Sequence, residues 1–120
     1  MSEEKTRRYL VIKEDGTVEH VEMPFKKKWS LEELQEKVEG YIESINVKIN
    51  GKKYHGYANE DIAHARRPLL PNFKATRHYH GYYRKDGIEE MDRQVQIAGQ
   101  MVLLKGPIIV ENFKGDEKEV

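Results

Sequence analysis

Apolar positions first gather at Tyr9-Leu10-Val11-Ile12 and then alternate with polar ones from Thr17 to Met23. Strand-forming residues on both sides of an Asp15-Gly16 turn signal predict a hairpin, residues 9–13 paired with 17–23 and ended by Pro24. The period then changes. Leu31, Leu34 and Val38 are spaced as one helical face, and Ser30 with Glu33 makes a capping box, so a helix of roughly residues 30–39 is expected. Gly40 is placed to end it in the left-handed conformation. A strand over 41–49 follows, with a slip in its alternation near Ile45 that predicts a bulge. Asn50-Gly51 is the strongest short-range hairpin signal in the chain, and residues 53–58 are its return strand.

The second half is less regular. Asn59-Glu60-Asp61 opens a turn or short helix to about Arg66, and Pro68 and Pro71 keep residues 67–72 out of helix. If residues 76–84 form a strand, Arg77, Tyr79, Gly81 and Tyr83 share one face and His78, His80, Tyr82 and Arg84 the other. Ile88, Met91 and Val95 suit a short amphipathic helix, with strand as the alternative. Residues 96–104 read as a last long strand, and Ile108-Ile109-Val110 as a short edge strand after the break at Gly106-Pro107. The sum is an α+β domain, a mainly antiparallel sheet with one main helix packed on it. The domain is expected over residues 9–113, between a flexible start (1–8) and a flexible acidic tail (114–120).

Composition narrows the chemistry. The 120 residues include no cysteine, which removes disulfides, thiolate metal sites and cysteine nucleophiles and fits a reducing, cytoplasmic setting. No apolar run has the length of a membrane span, so no membrane partner is expected. Net charge is zero, yet residues 51–85 hold eight Lys or Arg against two acids, with four of the five His and five of the seven Tyr. A basic, aromatic middle between acidic flanks can attract anions although the whole chain is neutral. The density peaks at Ala75-Thr76-Arg77-His78-Tyr79-His80-Gly81-Tyr82-Tyr83-Arg84-Lys85, a stretch with no carboxylate.

Four blocks carry a resemblance: Leu31 to Glu43 (LEELQEKVEGYIE), Tyr57 to Asp61 (YANED), Leu70-Pro71-Asn72 with Ala75-Thr76, and Ile97 to Leu103 (IAGQMVL). Their order over roughly 9–104 resembles a small family of domains of unknown function carried by phages, large DNA viruses and mobile elements. The resemblance implies a viral or mobile-element accessory protein and no particular reaction. Glu39-Gly40 stands where that family has Gly-Gly, and the segment between Thr76 and Ile97 is longer than the pattern.

Three chemistries are open to the basic segment. On a strand His78 and His80 would share one face, as two metal ligands can, but a third ligand from His55, His64, Glu60 or Asp61 is not fixed by spacing. Two exposed histidines explain the pair as well, and no metal and no cofactor is expected. No hydrolase or nucleotide-loop motif is present, and Ser30 is accounted for as a cap, so no catalytic residue is assigned and no enzyme is expected. Anion binding fits best. Arg66, Arg67, Arg77 and Arg84 can fork onto phosphates, Tyr79 and Tyr82 can stack on bases, and Asn72 and Thr76 can supply polar contacts. These eight residues are the expected ligand site. The ligand would be a nucleotide or nucleotide-derived signal, held without catalysis. A nucleic acid along the same residues, or a protein-interaction module pairing through an edge strand with a partner or with its own copy as a homo-oligomer, are the alternatives. An edge strand using Tyr for packing and Arg for solubility is the plain reading against which these stand.

Overall fold

The computed structural model describes residues 6–60, 65–82 and 103–120. They form one five-stranded antiparallel sheet. Its strands are β1 (Thr6–Ile12), β2 (Val18–Pro24), β3 (Ile42–Ile49), β4 (Lys52–Asn59) and β5 (Ile108–Glu111), in the spatial order β2-β1-β5-β4-β3. Two helices accompany it, α1 (Leu31–Val38) and α2 (Phe73–Tyr82). The α+β class and the antiparallel sheet are as expected. The single main helix is not, because α2 is the longer of the two.

The two hairpins form where local chemistry places them. β1 pairs with β2 from Thr6 against Pro24 to Ile12 against Val18. Asn50 and Gly51 both take positive φ, 48° and 79°, which is what a two-residue turn matching the twist of its strands requires. The β3–β4 register runs without interruption from Ile42 opposite Asn59 to Ile49 opposite Lys52. The bulge expected near Ile45 is therefore absent. Ile45, Val47 and Ile49 simply alternate into the core, and Ile42 packs on the opposite face.

The Ser30–Glu33 capping box opens α1, with the Glu33 amide donating to Ser30 Oγ at 3.2 Å. The residue that closes the helix is not Gly40 but Glu39, whose φ is 62°. Gly40 serves another purpose. A Cβ there would run into the side-chain amide of Asn59, which donates to the carbonyl of Val38 at 3.1 Å.

Two further expectations are overturned. Residues 76–82 are helical, not strand, and the reason lies at the start of α2. Asn72 caps it, accepting from the Ala75 amide at 3.0 Å through Oδ1, and Thr76 donates its amide to the Asn72 carbonyl at 3.0 Å. Ala75, Thr76, His78 and His80 are buried along the helix, so tertiary packing outweighs the strand preference of Thr and Tyr. β5 is likewise no edge strand but the centre of the sheet. Ile108 and Val110 bury into one face, Ile109 into the other, and all three are fully inaccessible. A run that is apolar on both faces belongs in the middle. Gly56 lies opposite Val110, where a Cβ would collide with the Ile109 carbonyl.

The core has one cluster on each face of the sheet. Leu10, Ile12, Val47, Ile49, Ile108 and Val110 meet Ala75 of α2 and Phe113, while Tyr9, Val11 and Ile109 meet Trp29, Leu34 and Val38 around α1. The packed structure reaches past both expected boundaries. Thr6, Arg7 and Arg8 belong to β1, and beyond Lys114 the chain makes a 3-10 turn over Glu117–Glu119, with Val120 packed against the first cluster. Of the expected strand over 96–104, only Leu103 and Leu104 are described, and they lie outside any strand. Pro71 pairs with Lys105 in an isolated bridge. The expected helix around Ile88 to Val95, residues 61–64 of the expected turn from Asn59 to about Arg66, and Tyr83 and Arg84 lie outside the described residues.

Candidate anion-binding site

The expected ligand residues are not gathered in one place. Asn72 is fully buried, and its Nδ2 donates to the carbonyls of Ile12 at 2.8 Å and Gly106 at 2.9 Å. Thr76 is buried beside it. Its hydroxyl donates to the Asn72 carbonyl at 2.7 Å and accepts from the Leu104 amide at 2.9 Å. Every polar group these two residues offer has a structural partner, so neither is left to contact a ligand.

Arg67 lies at the end of the sheet that carries the β1–β2 turn. Its guanidinium bonds Glu14 and also Glu39, the latter at 2.9 and 3.0 Å from Nε. The two carboxylates raise the Arg67 pKa further, and the Arg67 hydrogen bond holds Glu14 below the ordinary carboxylate range. The cleft beside it, about 580 Å³, is lined by Glu14, Asp15, Glu19, Glu36 and Glu39 against Lys13, Lys37 and Arg67. An anion meets net repulsion there.

Arg66 is exposed and gives its amide to the Glu39 carbonyl at 3.0 Å. Arg77 is exposed on α2, and Tyr79 packs half-buried against the core. Tyr82 lies beneath an ammonium group, Lys53 Nζ being 5.6 Å from its ring centroid. Arg84 lies outside the described residues. The metal geometry fails with the strand, since residues two apart on a helix project on well-separated sides. Among the described residues no three His, Asp or Glu side chains gather around a possible ion.

A different set of cations does converge. β5 runs antiparallel to both β1 and β4, so the start of β1, the start of β4 and the residues after β5 share one end of the sheet. That end carries Arg7 and Arg8, Lys52 and Lys53, and Lys114. They line two adjoining clefts of about 410 and 380 Å³ that share Asn112 and Lys114. Both arginines are positioned by neutral acceptors. Arg7 donates to the carbonyls of Phe25 and Lys27 at 3.1 Å each and to Asn112 Oδ1 at 2.9 Å, and lies over the Phe25 ring. Arg8 donates to the Gly115 carbonyl at 2.9 Å, contacts His20 Nδ1 at 3.2 Å and lies over Phe113. Neither these arginines nor the three lysines make an ion pair with a carboxylate among the described residues, although Arg8 also lines a neighbouring cleft with Glu22 and Asp116.

The single acid in the two cleft linings is Glu111, and it is already engaged. His55 Nδ1 lies 2.6 Å from its Oε1, across β4 and β5. The Tyr57 hydroxyl approaches Oε2 at 3.4 Å, and burial followed by the Glu111 charge raises the Tyr57 pKa, which keeps the phenol protonated. The His55 and Tyr57 rings meet edge to face at 4.8 Å. Nearby, Tyr54 lines the larger cleft, and its buried hydroxyl has no hydrogen-bond partner among the described residues. Its ring packs against Phe113 in the core cluster of the α2 face, centroids 5.2 Å apart, so the hydroxyl points into the interior.

Sequence reasoning missed this set for a definable reason. Lys52, Lys53 and His55 belong to the basic segment of residues 51–85, but the densest Tyr and Arg lie further on. Arg7, Arg8 and Lys114 come from the two ends of the chain. Only the alternation of antiparallel strands brings the three groups together, and no local spacing encodes it. Among the described residues no helix is long and apolar enough to cross a membrane. No protein-family model matches the chain, and no curated protein or solved structure matches it.

Proposed function

We propose that this protein binds a phosphate-bearing ligand, without turning it over, at the basic end of its sheet. One observation carries the reading. Arg7, Arg8, Lys52, Lys53 and Lys114 surround two adjoining clefts whose one carboxylate, Glu111, is engaged by His55. Guanidinium and ammonium groups without acidic partners are the groups that take phosphate oxygens. The site is thus moved from the 66–84 segment, where Arg67 is occupied by carboxylates and Asn72 and Thr76 are interior.

A role as an accessory protein of a virus or mobile element in a host cytoplasm, sequestering a nucleotide signal or a strand of nucleic acid, rests on the four sequence blocks. Binding alone would suffice for it. The continuity of the two clefts favours a ligand longer than one nucleotide. Anisotropy titrations with a labelled oligonucleotide and thermal shifts with nucleotides test the site. A strand contacting several phosphates weakens steeply with salt, whereas an enclosed nucleotide does so less. Lys52→Glu combined with Lys114→Glu is expected to abolish binding and Arg77→Ala to leave it. Undiminished binding by the double variant, or no binding of any phosphate ligand by the native chain, overturns the assignment.

A further inference from the structure

We infer that the part of the α1 face of the sheet left uncovered beside the basic end is a platform for single-stranded nucleic acid, with bases on His55 and Tyr57 and the backbone on the surrounding lysines. The inference rests on the phosphate-binding reading above and names the ligand class and the face it crosses.

Strand register defines the platform. Ser44 lies opposite Tyr57, Asn46 opposite His55 and Lys48 opposite Lys53, and such cross-strand partners share a face. Ile42 and Tyr57 pack in the cluster around α1, which fixes that face as the α1 side. On β3, β4 and β5 the cluster takes in only Ile42, Tyr57 and Ile109. Nearer the Asn50–Gly51 turn the same face carries Asn46, Lys48, Lys53, His55 and Glu111, and none of them is buried. The opposite face is closed at this end. Val47, Ile49 and Tyr54 are buried there in the cluster that Ala75 of α2 and Phe113 complete. A strand leaving the two clefts therefore has one side of the sheet to cross.

The platform offers more than charge. The His55 and Tyr57 rings are set edge to face, and the 2.6 Å contact of His55 Nδ1 with Glu111 fixes the imidazole, whose side chain is 39% exposed. Aromatic rings held on an open sheet stack on unpaired bases of any identity, whereas a duplex keeps its base faces inside. The Ser44 hydroxyl and the Asn46 amide make no hydrogen bond among the described residues, which leaves them for base edges. Lys48 and Lys53 outnumber Glu111 on this face, and Arg7, Lys52 and Lys114 adjoin it at the rim. A simple anion uses only these cations. A single strand uses the rings and the neutral polar groups as well.

The test titrates the intact chain, by fluorescence anisotropy, with a labelled single strand, its duplex and an abasic strand of the same length that keeps the sugar–phosphate backbone. Inorganic triphosphate, short enough for the clefts alone, is the competitor. The single strand should bind about tenfold more tightly than the abasic strand, the gain that stacking on a ring provides, and more tightly than the duplex. His55→Ala should remove most of that tenfold ratio. The ratio is the readout, because a change in cleft charge moves both affinities together. Ser44→Glu, on the exposed outer strand and outside both clefts, should weaken the single strand severalfold and leave triphosphate competition unchanged. Equal affinity for base-bearing and abasic strands, or a duplex bound as tightly as the single strand, overturns the platform and leaves the basic end as a general anion surface. An unaltered preference in both variants overturns it too. Failure of every ligand to bind, triphosphate included, removes the platform together with the broader assignment.

Discussion

Asn72 donates its side-chain amide to the carbonyl of Ile12 at 2.8 Å, joining the cap of α2 to the last residue of β1. The same amide reaches Gly106, and its oxygen takes the Ala75 amide. One fully buried side chain therefore holds together β1, α2 and the chain entering β5. The backbone repeats the link, with the Asn72 amide on the Leu104 carbonyl at 2.8 Å and the Gly106 amide on the Leu70 carbonyl at 2.9 Å.

Asn72→Ala should therefore be a stability variant, not a binding variant. It strands two buried carbonyls and one helix amide, and the expected loss is about 3 kcal/mol. Urea denaturation at 25 °C measures it. Among folded molecules, affinity for phosphate ligands should be unchanged. A variant of native stability with lost affinity would return Asn72 to a ligand-binding role.

Arg67 with Glu14 gives a pH-dependent prediction. The Arg67 hydrogen bond holds the folded-state pKa of Glu14 below its ordinary value, so the pair stabilises the fold above that value, and the contribution is lost as pH falls through the depressed one. Arg67 is 40% exposed and its charge is screened, so Arg67→Ala should cost only about 1 kcal/mol at neutral pH. The gap between variant and native chain should narrow as pH falls below the ordinary carboxylate value and through the depressed folded one, as Glu14 takes up its proton in both states. A gap that persists there would mean that Arg67 acts through packing and not through charge.

His78 works with the opposite slope to a salt-bridged histidine. Burial lowers its pKa, the Arg77 charge lowers it further and Lys74 adds to this, while a hydrogen bond with the Lys48 backbone opposes the shift. Its Nε2 is buried with no hydrogen-bond partner among the described residues. The folded state thus takes up the proton less readily than the unfolded one. Stability should fall as pH drops below about 6.5, the ordinary histidine value, and continue falling towards the depressed folded value. His78→Gln should flatten the stability profile between about pH 6.5 and 5 relative to the native chain. Parallel profiles for the two proteins would show that His78 does not carry the effect.

Several elements were legible because their signals are local. Ser30 and Glu33 lie three residues apart and cap α1 as expected, and Asn50-Gly51 turns β3 into β4 with the torsions those residue types favour. Pro24 ends β2. The α2 signal was also present, in Asn72 as a cap after Pro71, but the Thr, Tyr and Gly that follow favour a strand when read alone. Ile108-Ile109-Val110 showed a strand without showing its place. Its apolar character on both faces separates a central position from an edge only when the neighbours are known.

By itself, then, the chain determined its two hairpins, its first helix and an uneven distribution of charge, since each depends on residues within a few positions of one another. The packed structure decided that residues 73–82 are helical, that the shortest strand is the central one, and that Arg7, Arg8, Lys52, Lys53 and Lys114 become neighbours. Those outcomes depend on pairings between segments up to about a hundred positions apart, such as Arg7 with Asn112, and on burial shared among them. A contact at that separation acquires its energy only when the intervening chain has already folded around it.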